Sequence, residues 1–193
     1  MTCGIFTFGG SMAERDLKYI YGNEIGIILG INANKTIKEL YEEKLKKGQS
    51  RHINLKEKYE EMYWFNTLKE ILCKEFTIRS GKKVRKELKT IIDEEYKFMC
   101  CKVDRRIVGE NSILLCSVYN GINFDEEINK NVFLECQHNM RVTKADKCYF
   151  ACLINSRKFV FKEIHRDEKV ISKIVNEEKV FFYDHILKEI SPM

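Results

Sequence analysis

The chain has 193 residues, of which 44% are hydrophobic, with 34 basic and 29 acidic side chains for a net charge of +5. That apolar content can bury one substantial core, so a single domain over residues 1–193 is the simplest expectation. No apolar run approaches the roughly 18 residues of a membrane span, and Cys3-Gly4-Ile5-Phe6 is too short for a secretory leader, so membrane insertion is excluded and a cytoplasmic protein is expected.

Residues 4–8 read as a short strand, and residues 24–30 as an apolar turn of helix ending at a glycine. Thr36-x-x-Glu39 has the form of a capping box, which starts a helix running through Tyr41 to about Lys47. Asn54-x-x-Glu57 opens a longer helix that should stop before Gly81. In it Leu55, Tyr59, Met62, Asn66 and Leu72 or Cys73 lie near one stripe, widened by Trp64, Leu68 and Ile71. Tyr63 and Trp64 are expected in the core, with a base-stacking platform as the other reading.

Residues 82–92 read as extended. Two apolar runs, 98–108 and 112–118, then flank the polar turn Gly109-Glu110-Asn111 and form a β-hairpin with Asp104 in its first strand. A helix from Phe124 or Glu126 to Val142 leads to a strand over 148–154. Asn155-Ser156-Arg157 turns the chain into a returning strand over 159–164, and Asp167 caps a final amphipathic helix that reaches Ile186. The expected fold is α/β, a mixed central sheet flanked by helices.

Eight cysteines are many for this length, yet their spacing gives no disulfide framework, zinc site or four-thiolate cluster. Cys148 and Cys152 share the apolar run KCYFACLI, so same-face core packing is expected. His138 is expected to pack or hydrogen-bond on the crossover helix. Two stretches are locally basic. The first contains Lys44, Lys46, Lys47 and Arg51, and the second Lys82, Lys83, Arg85 and Lys86. A charge run is first a solvated face, but these eight residues are the candidate contacts to nucleic acid or a partner protein. No GxxxxGK[ST], GxGxxG or HExxH occurs, which removes nucleotide hydrolysis and zinc peptidase chemistry.

Five blocks, in matching order and spacing from Gly22 to about Ile186, carry a resemblance. GNEIGIILGIN with TIKELYEEK resembles a G-S-D-I-A-x-I-L-G opening, and EEMYWFNTLKE resembles Y-W-G-N-x-L-E. KFMCCKVDRRIVGENSILLC resembles F-M-x-A-N-V-D-R-x-V-x-G-E followed by L-E-x-K. FLECQHNMRVTKADKCYFACLI resembles Y-x-x-Q-x-Q-H-x-M-x-V-T-G, and RDEKVISKIV closes the set. The chain resembles the YqaJ-type viral recombinases, phage-encoded relatives of lambda exonuclease within the PD-(D/E)XK superfamily. That resemblance implies a nuclease fold in which a helix carboxylate, a strand Asp and a strand Glu-x-Lys hold Mg²⁺ and activate water.

Carried over residue by residue, the helix carboxylate falls at Lys69, the strand Asp at Asp104, the strand Glu at Leu115 and the catalytic Lys at Ser117. Phe65 replaces a glycine, Glu135 the first glutamine, and Gln137 retains the second. Only Asp104 survives of the four, so the expectation is a protein that binds without cutting, needing no cofactor, with Asp104 the sole metal ligand if there is one. A Lys69–Asp104 salt bridge is the expected replacement. Glu70, rotated by about 100° on the helix, should point along the flank instead.

The implied partners are a nucleic acid or a host defence protein in the cytoplasm of a phage-infected cell, with inhibition of a CRISPR effector as one form. An alternative is an active Mg²⁺-dependent exonuclease with relocated ligands drawn from Asp104, Glu24, Glu70 and Glu110. A third reading is assembly, as a homo-oligomer or in a ring with an intact relative.

Overall fold

The two longest β-type runs build the centre of the molecule. In the computed structural model, which describes residues 19–45, 55–119 and 129–192, strands β6 (Ser112–Tyr119) and β7 (Lys147–Ile154) pair in parallel along all eight residues. Parallel neighbours need a crossover, and α4 (Lys130–Thr143) supplies it. Strand β8 (Lys158–His165) returns antiparallel to β7. The turn between them puts Asn155 and Ser156 at φ +49° and +55°, the mirror-type turn whose twist matches paired strands. On the other side, β5 (Arg105–Ile107) and β2 (Val84–Lys86) complete a five-stranded sheet in the order β2-β5-β6-β7-β8. A smaller sheet joins β1 (Ile20–Tyr21), β4 (Met99–Cys101) and β3 (Ile91–Ile92) in the order β1-β4-β3.

Because side chains alternate across a strand, β6 and β7 feed two cores. Ile113, Leu115, Cys148, Phe150 and Cys152 face the larger one, with α4, α1 (Ile25–Ile28) and α5 (Glu168–Val180). Leu114, Cys116, Tyr149 and Ala151 face the smaller one, where Leu72, Cys73 and Phe76 of α3 (Leu55–Ser80) pack. The short α1 lies so close to α4 that a Cβ on Gly26 would stand 1.8 Å from Asn131 Oδ1. Cys148 and Cys152 are fully buried, as their shared face predicts.

The local signals at helix ends hold. Glu39 Oε2 accepts from Thr36 N–H at 2.8 Å and Thr36 Oγ1 from Glu39 N–H at 3.2 Å, the reciprocal box that opens α2 (Ile37–Leu45). Gly81 at φ +70° ends α3, and Asp167 Oδ1 accepts from Lys169 and Val170 N–H at the start of α5. Beyond α5 the chain continues as a wider, π-type turn over Phe181–Ile186. No helix of the described residues is long and apolar enough to cross a membrane.

Four expectations need correction. Residues 82–92 are not one strand: β2 and β3 belong to different sheets. Residues 98–108 likewise split into β4 and β5, so Asp104 stands where the chain passes from one sheet to the other and not within a strand. Tyr63 and Trp64 are not core; they are 59% and 53% exposed. Among the described side chains of α3, only Leu72, Cys73 and Phe76 belong to the buried cluster, so Tyr63 and Trp64 outrun the sheet. Finally, the expected helix does not run through residue 129: Asn129 is non-helical and its side chain caps α4, which begins at Lys130. The strand at residues 4–8, the Asn54 cap and a helix start at Phe124 or Glu126 lie outside the described residues.

Candidate functional site

The site is built where α3 passes over the start of β5. Lys69 Nζ lies 2.8 Å from Asp104 Oδ1, with both side chains mostly buried, at 13% and 14% exposure. Asp104 Oδ2 accepts from the Cys116 N–H at 2.7 Å, while Asp104 N–H donates to Leu114 O at 3.2 Å. The carboxylate thus stands in for the next acceptor of the β5–β6 ladder at the point where the backbone diverges. A buried ladder N–H needs such a partner. Lys69 also sits 4.7 Å from the centre of the Phe65 ring.

Around this pair runs a groove of about 630 Å³ between α3 and the 86–89 and 102–105 segments, lined by Tyr59, Tyr63, Lys86, Lys89 and Lys102 beside Lys69 and Asp104. Tyr59 is 71% exposed. Glu70 does not turn toward Asp104. It pairs with Lys86 at 2.7 Å and with Arg105, and the hydrogen bonds from Lys86 and then Arg105 hold its carboxyl below the usual range.

The sequence alignment suggests that Leu115 and Ser117 flank the same site, and here the structure differs. Both are buried on the face of β6 that looks toward α4, Leu115 within the larger core. Helix α3 covers the opposite face, that of Leu114 and Cys116. Gln137 is also elsewhere. Fully buried on α4, it donates to His165 O at 2.8 Å and accepts from Asp167 N–H at 2.9 Å, clasping the end of β8 to the start of α5. Of Lys69, Asp104, Leu115, Ser117 and Gln137, only Lys69 and Asp104 come together.

The other acids are likewise ion-paired. Glu24 is buried against Lys44 at 2.9 Å and accepts from Tyr21 N–H. Glu110 pairs with Lys82, whose hydrogen bond holds the Glu110 carboxyl low. Lys44 is therefore no surface contact: it is 8% exposed and also donates to Tyr19 O at 2.6 Å. Among the second basic group, Lys86 lines the groove, Lys82 is held by Glu110 over the Tyr149 ring, and Lys83 and Arg85 are exposed without lining the groove. Lys46, Lys47 and Arg51 lie outside the described residues.

A divalent cation of the kind the family resemblance implies does not fit these donors. Mg²⁺ asks for several oxygen ligands, whereas of the three carboxylates lining the groove Asp104 has both oxygens engaged, one of them by an ammonium group, and Glu70 and Glu87 are each paired with a cation. No group of three or more His, Cys, Asp or Glu placed to hold a metal occurs among the described residues.

Three features escaped the sequence. Cys73 and Cys116 are 43 residues apart yet their sulfurs are 3.5 Å apart. His138 is buried as expected, but its partners, Glu178 Oε1 at 2.7 Å and Cys100 O at 3.0 Å, come from distant elements. The exposed tyrosines of the groove were hidden within an apolar pattern.

Comparison with known proteins places the fold. A sequence profile of the YqaJ-like viral recombinase domain matches residues 14–146. The uncharacterized protein YqaJ of Bacillus subtilis (strain 168) is 41% identical over 177 residues, covering 88% of this chain and 54% of that protein, so the chain spans about half the length of that curated relative. The alkaline exonuclease LHK-Exo of Laribacter hongkongensis superposes with a TM-score of 0.69 at 13% identity, covering 90% of each chain. A phage related exonuclease from Haemophilus somnus 129PT superposes at 0.62 and 14% identity, covering 89% of this chain and 96% of that one. The fold is thus that of the exonucleases, and the chain belongs to the YqaJ-like viral recombinase domain family.

Proposed function

We propose that this protein binds nucleic acid on a nuclease scaffold without cutting it. The observation that carries the reading is the Lys69–Asp104 pair, which sets an ammonium group against the one retained acid of the family's catalytic set. Metal-dependent hydrolysis needs a coordination set that is free to accept the ion, and Asp104 is engaged on both oxygens. The groove beside the pair favours nucleic acid over an acidic protein surface, because it combines lysines at 86, 89 and 102 with exposed tyrosines at 59 and 63. Cations track phosphates and rings stack on bases of any sequence.

In its narrower form the proposal places the protein in a phage or mobile element, where it withholds nucleic acid from a host defence system such as a CRISPR effector. The alternative of an active exonuclease with relocated ligands draws on the shared fold, while Glu24, Glu70 and Glu110 are each held by a cation.

Fluorescent single-stranded and double-stranded oligonucleotides titrated in EDTA test the binding claim. Tyr63→Ala is expected to weaken binding about tenfold. Lys89→Glu and Lys102→Glu should each lower the slope of log affinity against log salt by about one. Arg157→Glu, in the exposed β7–β8 turn, should change little. Unchanged binding in all three groove variants would place the contact elsewhere, and absence of any binding would exclude nucleic acid as the partner.

A further inference from the structure

Cys73 on α3 and Cys116 on β6 are 2% and 4% exposed, with their sulfurs 3.5 Å apart. They lie directly beneath the ion pair. Cys73 is one helical turn beyond Lys69 on the same flank, and the Cys116 amide is the group that holds Asp104 Oδ2. Closing a disulfide needs the sulfurs to approach to about 2.05 Å, a shift of roughly 1.5 Å from the observed 3.5 Å.

We propose that Cys73 and Cys116 form an oxidisable dithiol, closed to a disulfide by a peroxide, that fastens α3 to the central sheet beneath the groove. The environment divides the roles. The hydrogen bond shared with Cys116, with help from the Arg105 charge, lowers the Cys73 thiol below its usual range despite burial. Cys116, the other partner in that bond and itself buried, is pushed up. The thiolate is the nucleophile, so Cys73 attacks hydrogen peroxide. The O–O bond breaks, Cys73 becomes a sulfenic acid and hydroxide leaves. Cys116 sulfur then attacks the Cys73 sulfur, forming the S–S bond and expelling the hydroxyl oxygen. With the two thiol protons, the sum is two thiols and one peroxide giving one disulfide and two waters.

A second close pair, Cys136 and Cys148, serves as an internal comparison. Both are fully buried, and burial, followed by the neighbouring thiol, pushes Cys136 far up. No cation among the described residues offsets that burial, so this pair is expected to stay reduced.

Native protein treated with a tenfold excess of hydrogen peroxide, alkylated and digested with trypsin without reduction gives the test. The expected product is peptide 70–74, which carries Cys73, joined to peptide 107–130, which carries only Cys116, at a mass two hydrogens below their sum. The melting temperature should rise by about 5 °C or more, since the bond closes a loop of some forty residues. In Cys116→Ser, dimedone should label Cys73, whereas Cys73→Ser should leave Cys116 unlabelled. Both cysteines recovered as free thiols from treated native protein, or a bond between Cys136 and Cys148 in their place, would overturn the proposal. The peptide map needs no variant to fold and is independent of what the groove binds.

Discussion

Asp104→Ala is expected to destabilise the protein by about 3 kcal/mol, which lowers the melting temperature of a chain this size by roughly 6–12 °C. The variant removes the partner of a mostly buried ammonium at Lys69 and the acceptor of the Cys116 amide in one step. Each orphaned group carries its own desolvation cost. The sign is the informative part. In a metal site without its ion, acidic ligands repel one another, and removing one of them commonly stabilises the fold. Lys69→Met should be milder, since a neutral chain of similar shape keeps the packing on Phe65, and the double variant Lys69→Met with Asp104→Ala should cost less than the sum of the two. Denaturant unfolding of the four proteins measures the coupling. A melting temperature that rises in Asp104→Ala would contradict the ion-pair reading.

Glu178→Ala is expected to cost about 4 kcal/mol, the largest loss of any single ion-pair change, because both partners are fully buried and His138 would keep its position without its counter-charge. This pair also sets a pH dependence. Burial opposes the charge on His138, but the Glu178 carboxylate and its hydrogen bond, together with Cys100 O, outweigh it and raise the imidazole above its ordinary 6.5. A raised folded value binds a proton that the unfolded chain has released. The stabilisation is therefore complete below about pH 6.5 and is lost as pH climbs through the folded value. Glu178→Gln keeps the hydrogen bond and removes the charge. Across pH 6 to 9, wild type should lose stability on the alkaline side, while the glutamine variant should be lower at pH 6 and flatter throughout. Parallel curves for the two proteins would sink this assignment.

Much of the fold could be read directly because its signals are local. The Thr36–Glu39 box, Asp167 at the start of α5 and the apolar runs of 112–118 and 148–154 all act within a few residues, and each appears where the sequence places it. The errors arise where tertiary position decides. Residues 98–108 look like one strand, yet a side chain at Asp104 replaces a backbone acceptor and hands the chain to a second sheet. Tyr63 and Trp64 follow a helical apolar stripe, but burial depends on how far the sheet reaches beneath α3, which no period encodes.

At the site, the Lys69–Asp104 contact was legible because the family pattern names both positions. The facing of Leu115 and Ser117 toward α4 was not, since aligned letters do not say which face of β6 meets α3. The Cys73–Cys116 contact and the partners of His138 join residues 38 or more apart, beyond any spacing rule for unbridged side chains.

The central claim, binding without cleavage, is tested most directly by incubating linear single-stranded and double-stranded DNA with the protein in Mg²⁺ and in Mn²⁺, beside Asp104→Ala. The account predicts intact DNA in every lane, with wild-type binding retained in EDTA. Metal-dependent degradation by the wild-type protein that disappears in Asp104→Ala would contradict it, and would mean that the Lys69–Asp104 pair opens to admit a metal ion.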